Sequence, residues 1–513
     1  MAEPAAATSN GRFSRGWLLV ALCGLFVAVV LFLCLNRSVP LGVPGEWVWN
    51  RLPPAPLISI LATGVAAAIY IGVCVVVRTK VDANAKWAIP SLLLAMSAAI
   101  PLHWSLFFAP PVPLGPERWN LALSNSASSG YFSVARDIGW SSDLLRETTR
   151  EGTVAFLRGY ESWIGKQDSF HIGTHPPGLF LAYYWLIRWC EQHRDWVEAA
   201  WRILPSRLTN AGAGLGARER LQKVDLAVLL VAAALTWLAF WASASLVYAL
   251  ARQVATPTAA LSAAMLWLLA PGPLLFLPLA DVAYVFFSTA IAALLTAASR
   301  SGLTLAVVFG ASAGCVFTAA LNMSLASVVV PFFAFLAPLI SDRESLFRRN
   351  SWALWTAFAV AVIGTTTWLR IACDFNLPAV LWINLQKHRG FYEHFPRSYW
   401  PWVGVNLIEF AATLGVLSVL LLGAANRRDR RARSLAWAFL ATLLILDLTG
   451  KNLSEAGRLW LFLTPLAAAA AAPSIEGRDL STRAFAALLL MQILTASAVY
   501  LCIEPLLPIN VSS

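Results

Sequence analysis

Histidine, carboxylate and arginine side chains able to do acid–base or phosphate chemistry occur in this sequence as short polar strings between long apolar runs. Residues 171–178 read HIGTHPPG. Two prolines at a helix start fix the backbone without removing a needed donor, and Gly178 permits close approach. His171, Thr174 and His175 would then stand at a helix mouth, where backbone donors and imidazoles attract phosphate. A rigid helix entry with ordinary hydrogen-bonding histidines is the plainer reading. Upstream, Ser124, Asn125, Ser126, Ser128 and Ser129 lead into Gly130 and Tyr131. There a turn opens an amphipathic element with Tyr131, Ala135 and Ile138 on one face. Asp137, Asp143, Glu147 and Glu151 share this region with Arg136, Arg146, Arg150 and Arg158. An acid such as Asp137 can deprotonate a hydroxyl while an arginine holds a phosphate leaving group, although a surface helix with charge pairs looks the same.

Glu46 is a lone acid in VPGEWVWNR, residues 43–51, facing either a sugar-binding surface or an interfacial aromatic belt. Asp281, in PLADVAY, sits between long apolar runs, where an ionised group is costly and usually faces a cavity or a partner. Residues 384–402 gather Lys387, His388, Arg389, Tyr392, Arg397 and Tyr399, followed by Asn406 and Glu409. Such cations can neutralise a phosphate, and such rings can stack on a sugar or isoprenoid. In KNLSEAGR, residues 451–458, Glu455 and Arg458 share a helical face, so Arg458 is the candidate anion contact and Glu455 its orienting partner.

The elements that must position these strings are set by composition. Of 513 residues, 58% are hydrophobic and 13% charged, against about 25% charged in an ordinary soluble domain. Recurrent runs near membrane-spanning length predict an all-α polytopic bundle of about 12–14 transmembrane helices. The first, at 16–35, follows Arg12 and Arg15 but is longer than a signal core and lacks a small-residue exit, so it is expected to remain as a helix. The net charge of +11 sits mainly in turns, which points to topology and lipid-surface attraction rather than nucleic acid. Arg78, Lys80, Lys86 and the arginines at 343–349 and 427–433 mark inner loops, leaving 111–175 and 372–402 outside. A crossing is expected from Pro177 to Cys190, followed by an inner basic stretch at 191–223. That arrangement leaves an odd number of crossings before the next inner loop, so one segment between 178 and 340 must be partial or re-entrant.

The seven cysteines have no paired spacing, and dinucleotide, Walker and zinc-helix signatures are absent. The expected division is residues 1–87, two helices and a first outer loop, followed by a core at 88–503 bearing the outer loops 111–175 and 372–402.

Together these strings resemble the GT-C superfamily of polytopic glycosyltransferases. Tyr131 followed by Thr174, His175 and the Pro-Pro-Gly entry looks like the family's first catalytic loop. Asp281 matches its recurrent later acid, and Glu455 with Arg458, Trp460 and Pro465 is similar to a late motif of bacterial members. The resemblance implies a polyprenyl-phosphate sugar donor and a glycan, lipid or protein acceptor. It also implies a bacterial cytoplasmic membrane, with the site facing the periplasm or exterior. Some relatives use a divalent metal, but no metal cluster can be read here, so no cofactor is assigned. Where the family carries an acid after the first core crossing, this chain has serines and Asn125, so Asp137 from a nearby helix or Glu46 from the added loop is the candidate replacement base, and Asp281 is a catalytic candidate for acceptor orientation, catalytic support or pairing with an arginine. A transporter or flippase for a charged lipid-linked substrate, or a glycan ligase or polymerase, would share much of this pattern.

Overall fold

The computed structural model describes residues 15–110, 130–140, 149–167, 172–203, 222–298, 301–476 and 480–504. Within them the protein is an α-helical bundle, and its strands are two antiparallel two-residue pairs. The apolar runs become helices because a membrane segment must close its backbone hydrogen bonds internally. Helices α1 (Arg15–Leu35), α2 (Leu57–Ala83) and α3 (Ala88–Phe107) come first, with β1 (Gly42–Val43), β2 (Trp47–Val48) and β3 (Asn50–Arg51) in the connection between α1 and α2. The polar region that follows folds into α4 (Tyr131–Trp140), α5 (Thr149–Gly165), α6 (Gly178–Gln192) and α7 (Arg194–Ile203). Then come α8 (Lys223–Ala251), α9 (Pro257–Trp267), α10 (Pro271–Phe276), α11 (Tyr284–Ala298), α12 (Leu303–Met323), α13 (Val329–Ser341), α14 (Arg349–Cys373) and α15 (Leu377–His394). The chain finishes with α16 (Tyr399–Leu414), α17 (Val416–Ala425), α18 (Arg430–Leu448), α19 (Ala456–Leu459), α20 (Thr464–Ala471), α21 (Thr482–Cys502) and β4 (Ile503–Glu504), which pairs with β3.

Nine described helices are long and apolar enough to cross a membrane, and α16 with α17 makes a tenth, bent by 104°. Leu325–Ser341 and Leu461–Ile475 are shorter apolar helices. By length and composition the described helices thus give nine or ten spans, against the 12–14 expected. The protein is therefore a multi-pass membrane protein whose α1, α2 and α14 turn Leu18, Ile58, Ile69, Val360, Ile363 and Ile371 outward. An exposed apolar wall of this kind is stable only against hydrocarbon. The bend falls at Gly415, whose φ of +67° disfavours other residues and whose backbone lies against Gln492. The centre is filled by Pro257–Phe276, wholly buried, and by alanine-rich α20, because small side chains let neighbouring backbones close up.

Contacts sort the connections into two ends. At one end Arg78 donates to Leu480 O, Arg427 to Pro473 O and Glu476 O, and Arg431 to Gln253 O. The other end carries the strap 36–52, helices α4–α7, the 277–283 turn, α15 and the 449–460 turn. The described residues 167 and 172–175 meet α15 here: Asn384 donates to Gly173 O and His175 O, and Lys387 to Gln167 O.

Helix α6 departs from expectation. Gly178 packs on the carbonyl of Asn322, at the end of α12. The next helix, α7, pairs Glu198 with Lys223 at the start of α8, while Asp225 meets Arg136 of α4. Both flanks of α6 thus lie at the same end, and the expected crossing from Pro177 to Cys190 does not occur. Its alternation of Tyr, Trp, Arg and Glu with apolar residues suits a helix packed against α4, α5 and α8 rather than one surrounded by lipid. This removes the odd count, and residues 191–203 and Lys223 lie beside the polar layer, not at the arginine-rich end.

Candidate functional site

The site end is built from the strap inward. Arg51 fastens the strap by donating to Cys34 O at 2.6 Å and Val39 O at 2.5 Å, and Leu52 N donates to Cys502 O. Glu46 then clamps the start of α16: its carboxylate accepts from Ser398 N at 2.9 Å, from the Ser398 hydroxyl, and from Trp402 Nε1 at 2.7 Å. Its backbone carbonyl accepts from Arg397. The little burial that Glu46 has works against its charge, but these hydrogen bonds and the Arg397 guanidinium hold its pKa below the ordinary value. Three residues on, Trp49 reaches deeper and donates to the carboxylate of Glu409.

Glu409 links the strap to the turn carrying Glu455 and Arg458. It accepts from Gly457 N at 2.9 Å and from Ala456 N. Ser454 and Glu455 adopt positive φ of 132° and 52°, a conformation unfavourable for side chains that surrounding contacts must impose. Those contacts include Tyr392, whose hydroxyl donates to Lys451 O at 2.9 Å and accepts from Leu453 N at 2.8 Å. The strained turn sets Glu455 against Arg458 at 3.2 Å.

Arg458 is the hub. Burial works against its charge, but Glu455, Asp281, Tyr131 and Glu409 all lie close enough to favour it, and its pKa is held above the ordinary value. Asp281 is on the short helical turn Ala280–Ala283 leading into α11. Tyr131 of α4 and Tyr284 of α11 are hydrogen-bonded through their hydroxyls, with Asp281 near both. Burial, then Tyr284 and Asp281, push the Tyr131 pKa well up, so it stays a neutral donor. Its ring also meets His175 edge-on at 5.2 Å and stacks with Tyr183.

The remaining wall is α15. His388 faces Tyr392 at 5.8 Å and lies near Lys451 and His175. Burial, then these two groups, lower its pKa and keep the imidazole neutral. Arg397 lies near Glu46, Tyr392 and Glu455. Below this polar half, Leu377, Leu381 and Leu385 of the same helix line an open apolar groove of about 330 Å³ with Leu321, Leu325 and Val362. One helix therefore runs from a lipid-like groove to a charged cluster.

The structure thus brings together Tyr131, His175, Asp281, His388, Arg397, Glu455 and Arg458 from the sequence candidates. Thr174 stays beside His175, its hydroxyl 3.2 Å from Nδ1. Lys387 ends on Gln167 O, Tyr399 donates to Leu448 O at 2.7 Å, and Arg389 is exposed on the outer side of α15. Glu46 serves as a fastening point. His171 and the side chain of Asp137 lie outside the described residues. Glu409, read in the sequence only as following the 384–402 string, joins the site, as do Tyr284 and Trp49, which were not singled out as candidates. A lone acid in apolar α16 was the signal for Glu409, the same reasoning that selects Asp281. Among the described residues no group of three or more His, Cys, Asp or Glu could hold a metal. No protein-family model matches the chain, and neither the curated proteins nor the solved structures contain a match.

Proposed function

We propose that the protein is a membrane glycosyltransferase of GT-C type, moving a sugar from a polyprenyl phosphate to an acceptor hydroxyl in the cell envelope. The observation that supports this reading is that α15 lines the apolar groove with Leu377, Leu381 and Leu385 and, further along, carries Tyr392 near Glu455, the ion-pair partner of Arg458. A lipid tail in the groove would bring its phosphate toward Arg458, Arg397 and His175. Asp281 would take the proton of the acceptor hydroxyl as its oxygen forms a bond to the anomeric carbon. The bond from that carbon to the phosphate oxygen breaks, and the lipid phosphate leaves with the electron pair, stabilised by arginine. A single displacement of this kind inverts the anomeric configuration. The arginine-rich end would face the cytoplasm by the positive-inside rule, placing the site on the opposite side, toward the periplasm or exterior.

The test uses the purified protein in liposomes with a radiolabelled polyprenyl-phosphate sugar and cell-envelope acceptors. The expected result is acceptor-dependent release of free lipid phosphate, reduced about a hundredfold or more by Asp281→Asn with folding retained. Translocation of the lipid without cleavage, unaffected by acceptor, would replace this reading with a flippase.

A further inference from the structure

We infer that Asp447 and Asn406 form a proton-binding site inside the bundle, with Asp447 held as the neutral acid. Asp447 is in the last turn of α18 and 1% exposed, and Asn406 of α16 is 0% exposed. Asn406 Nδ2 donates to Asp447 Oδ1 at 3.0 Å and to Asn452 O at 2.7 Å. Both amide hydrogens are then used. Asp447 Oδ2 and Asn406 Oδ1 remain as buried acceptors with no donor among the described residues. Each is bonded to the same carbon as one end of that 3.0 Å hydrogen bond.

Two buried acceptors left without a donor are costly in a protein interior. A proton on Asp447 Oδ2 turns it into a donor that can close a carboxylic acid–carboxamide ring, N–H to O on one side and O–H to O on the other. An ionised Asp447 would be a buried charge held by one neutral amide. The charged groups on the surrounding elements are Glu409 of α16, Lys451 and Glu455 of the turn, and Arg458 of α19. None makes an ion pair with Asp447, and Arg458 is paired with Glu455. Desolvation therefore favours the neutral form. A magnesium or calcium ion would demand about six oxygen ligands, far more than this pair supplies.

The neutral pair ties α16 to α18. Through Asn452, whose side-chain oxygen accepts from Trp460 Nε1 at 3.2 Å, it also steadies the turn bearing Glu455. Asp447 is a positioning residue in this scheme, and the assignment stands whatever reaction the site performs.

The test is infrared difference spectroscopy of the purified protein in lipid nanodiscs at neutral pH. The expected result is a protonated-carboxyl C=O band that shifts in deuterium oxide and disappears in Asp447→Asn. That variant supplies its own N–H to Asn406 and should melt close to wild type, whereas Asp447→Ala should melt lower. If Asp447→Asn does not fold, Asn406→Ala gives the same information, because losing the amide must move the Asp447 band. Absence of any such band overturns the inference. So does a melting temperature that rises with sodium but not choline at equal ionic strength, if the rise is lost on changing Asp447, since that would make the guest a metal cation.

Discussion

Arginines gather at both ends of the bundle, but they end on different partners. At the end bearing Arg78, Arg252, Arg427 and Arg431, the guanidinium groups donate to backbone carbonyls of Leu480, Ala255, Pro473, Glu476 and Gln253. Most of these carbonyls lie just past helix C-termini, where unpaired acceptors and the helix dipole call for a cation. At the site end, Arg458 meets Glu455, Asp281 and the Tyr131 hydroxyl, groups drawn from separate elements. What sets Arg458 apart is that acids from separate elements converge on it, whereas Arg51 and Arg397 at the same end donate to carbonyls and Arg348 at the other end meets only an acid of its own loop.

The largest expected effect follows directly. On the proposed transferase function, Arg458→Ala should lower transfer about a hundredfold or more, since it would remove the charge assigned to the leaving phosphate. Arg431→Ala should leave turnover within about twofold, because the guanidinium only completes a helix end by one hydrogen bond. Equal losses in the two variants, measured as kcat with protein level and melting controlled, would erase the functional distinction between the ends.

Next in size is Glu46→Ala, which leaves Ser398 N and Trp402 Nε1 without their acceptor and should cost about 1–3 kcal/mol. The pH dependence has a definite sign. Because the folded protein lowers the Glu46 pKa, the ionised clamp stabilises above the unfolded carboxyl pKa of about 4.3, and that stability is lost as pH falls through the lower folded value. Thermal melts from pH 7 toward pH 3.5 should show this loss in wild type and a shallower decline in Glu46→Gln. A parallel decline would assign the clamp no electrostatic weight.

Both Glu46 and Asp281 are lone acids near apolar runs, and sequence alone gives them the same promise. What separates them is long-range: Glu46 meets Ser398 and Trp402, some 350 residues away, and no local pattern announces that pairing. Legibility of the fold divides in the same way. Apolar length predicts α1, α2, α3, α8, α14 and α21 directly because lipid imposes it. The course of α6 is decided by Gly178 against Asn322 and by Glu198 against Lys223, tertiary contacts that a hydropathy run cannot encode. The bend at Gly415 is likewise fixed by Gln492, which accepts from Val416 N and donates to Leu414 O. Arg458, Glu455 and His175 are legible because a motif places them beside a helix start. Glu409 and Tyr284 complete the cluster only once α11, α16 and α19 pack together.

A smaller effect concerns His388, whose folded pKa is lowered by burial and by Lys451 and His175. The folded state resists its protonation, so stability should fall as pH drops below the unfolded value of about 6.5, by at most about 1.4 kcal/mol per pH unit. His388→Gln should remove that slope between pH 7 and pH 5.5 in thermal melts. A slope unchanged in the variant would move the titration to another group.

The smallest effect belongs to the arginine-rich end. Arg431→Ala removes the 3.0 Å bond from Nε to Gln253 O, and water can replace it because Arg431 is exposed. The expected cost is about 0.5–1.5 kcal/mol. Asp342 and Arg348 lie beside it as an ion pair at 2.8 Å with both side chains well exposed, so Arg348→Ala should cost less still, within about 1 kcal/mol and diminishing with salt. Arg431→Lys tests the role of geometry: a single ammonium can reach the same carbonyl, so most of the lost stability should return. At Arg458 the proposed function expects no rescue of activity by lysine, because the planar guanidinium would have to serve Glu455 and a phosphate together. Rescue by lysine at both positions would mean that the site end, like the other, asks only for positive charge.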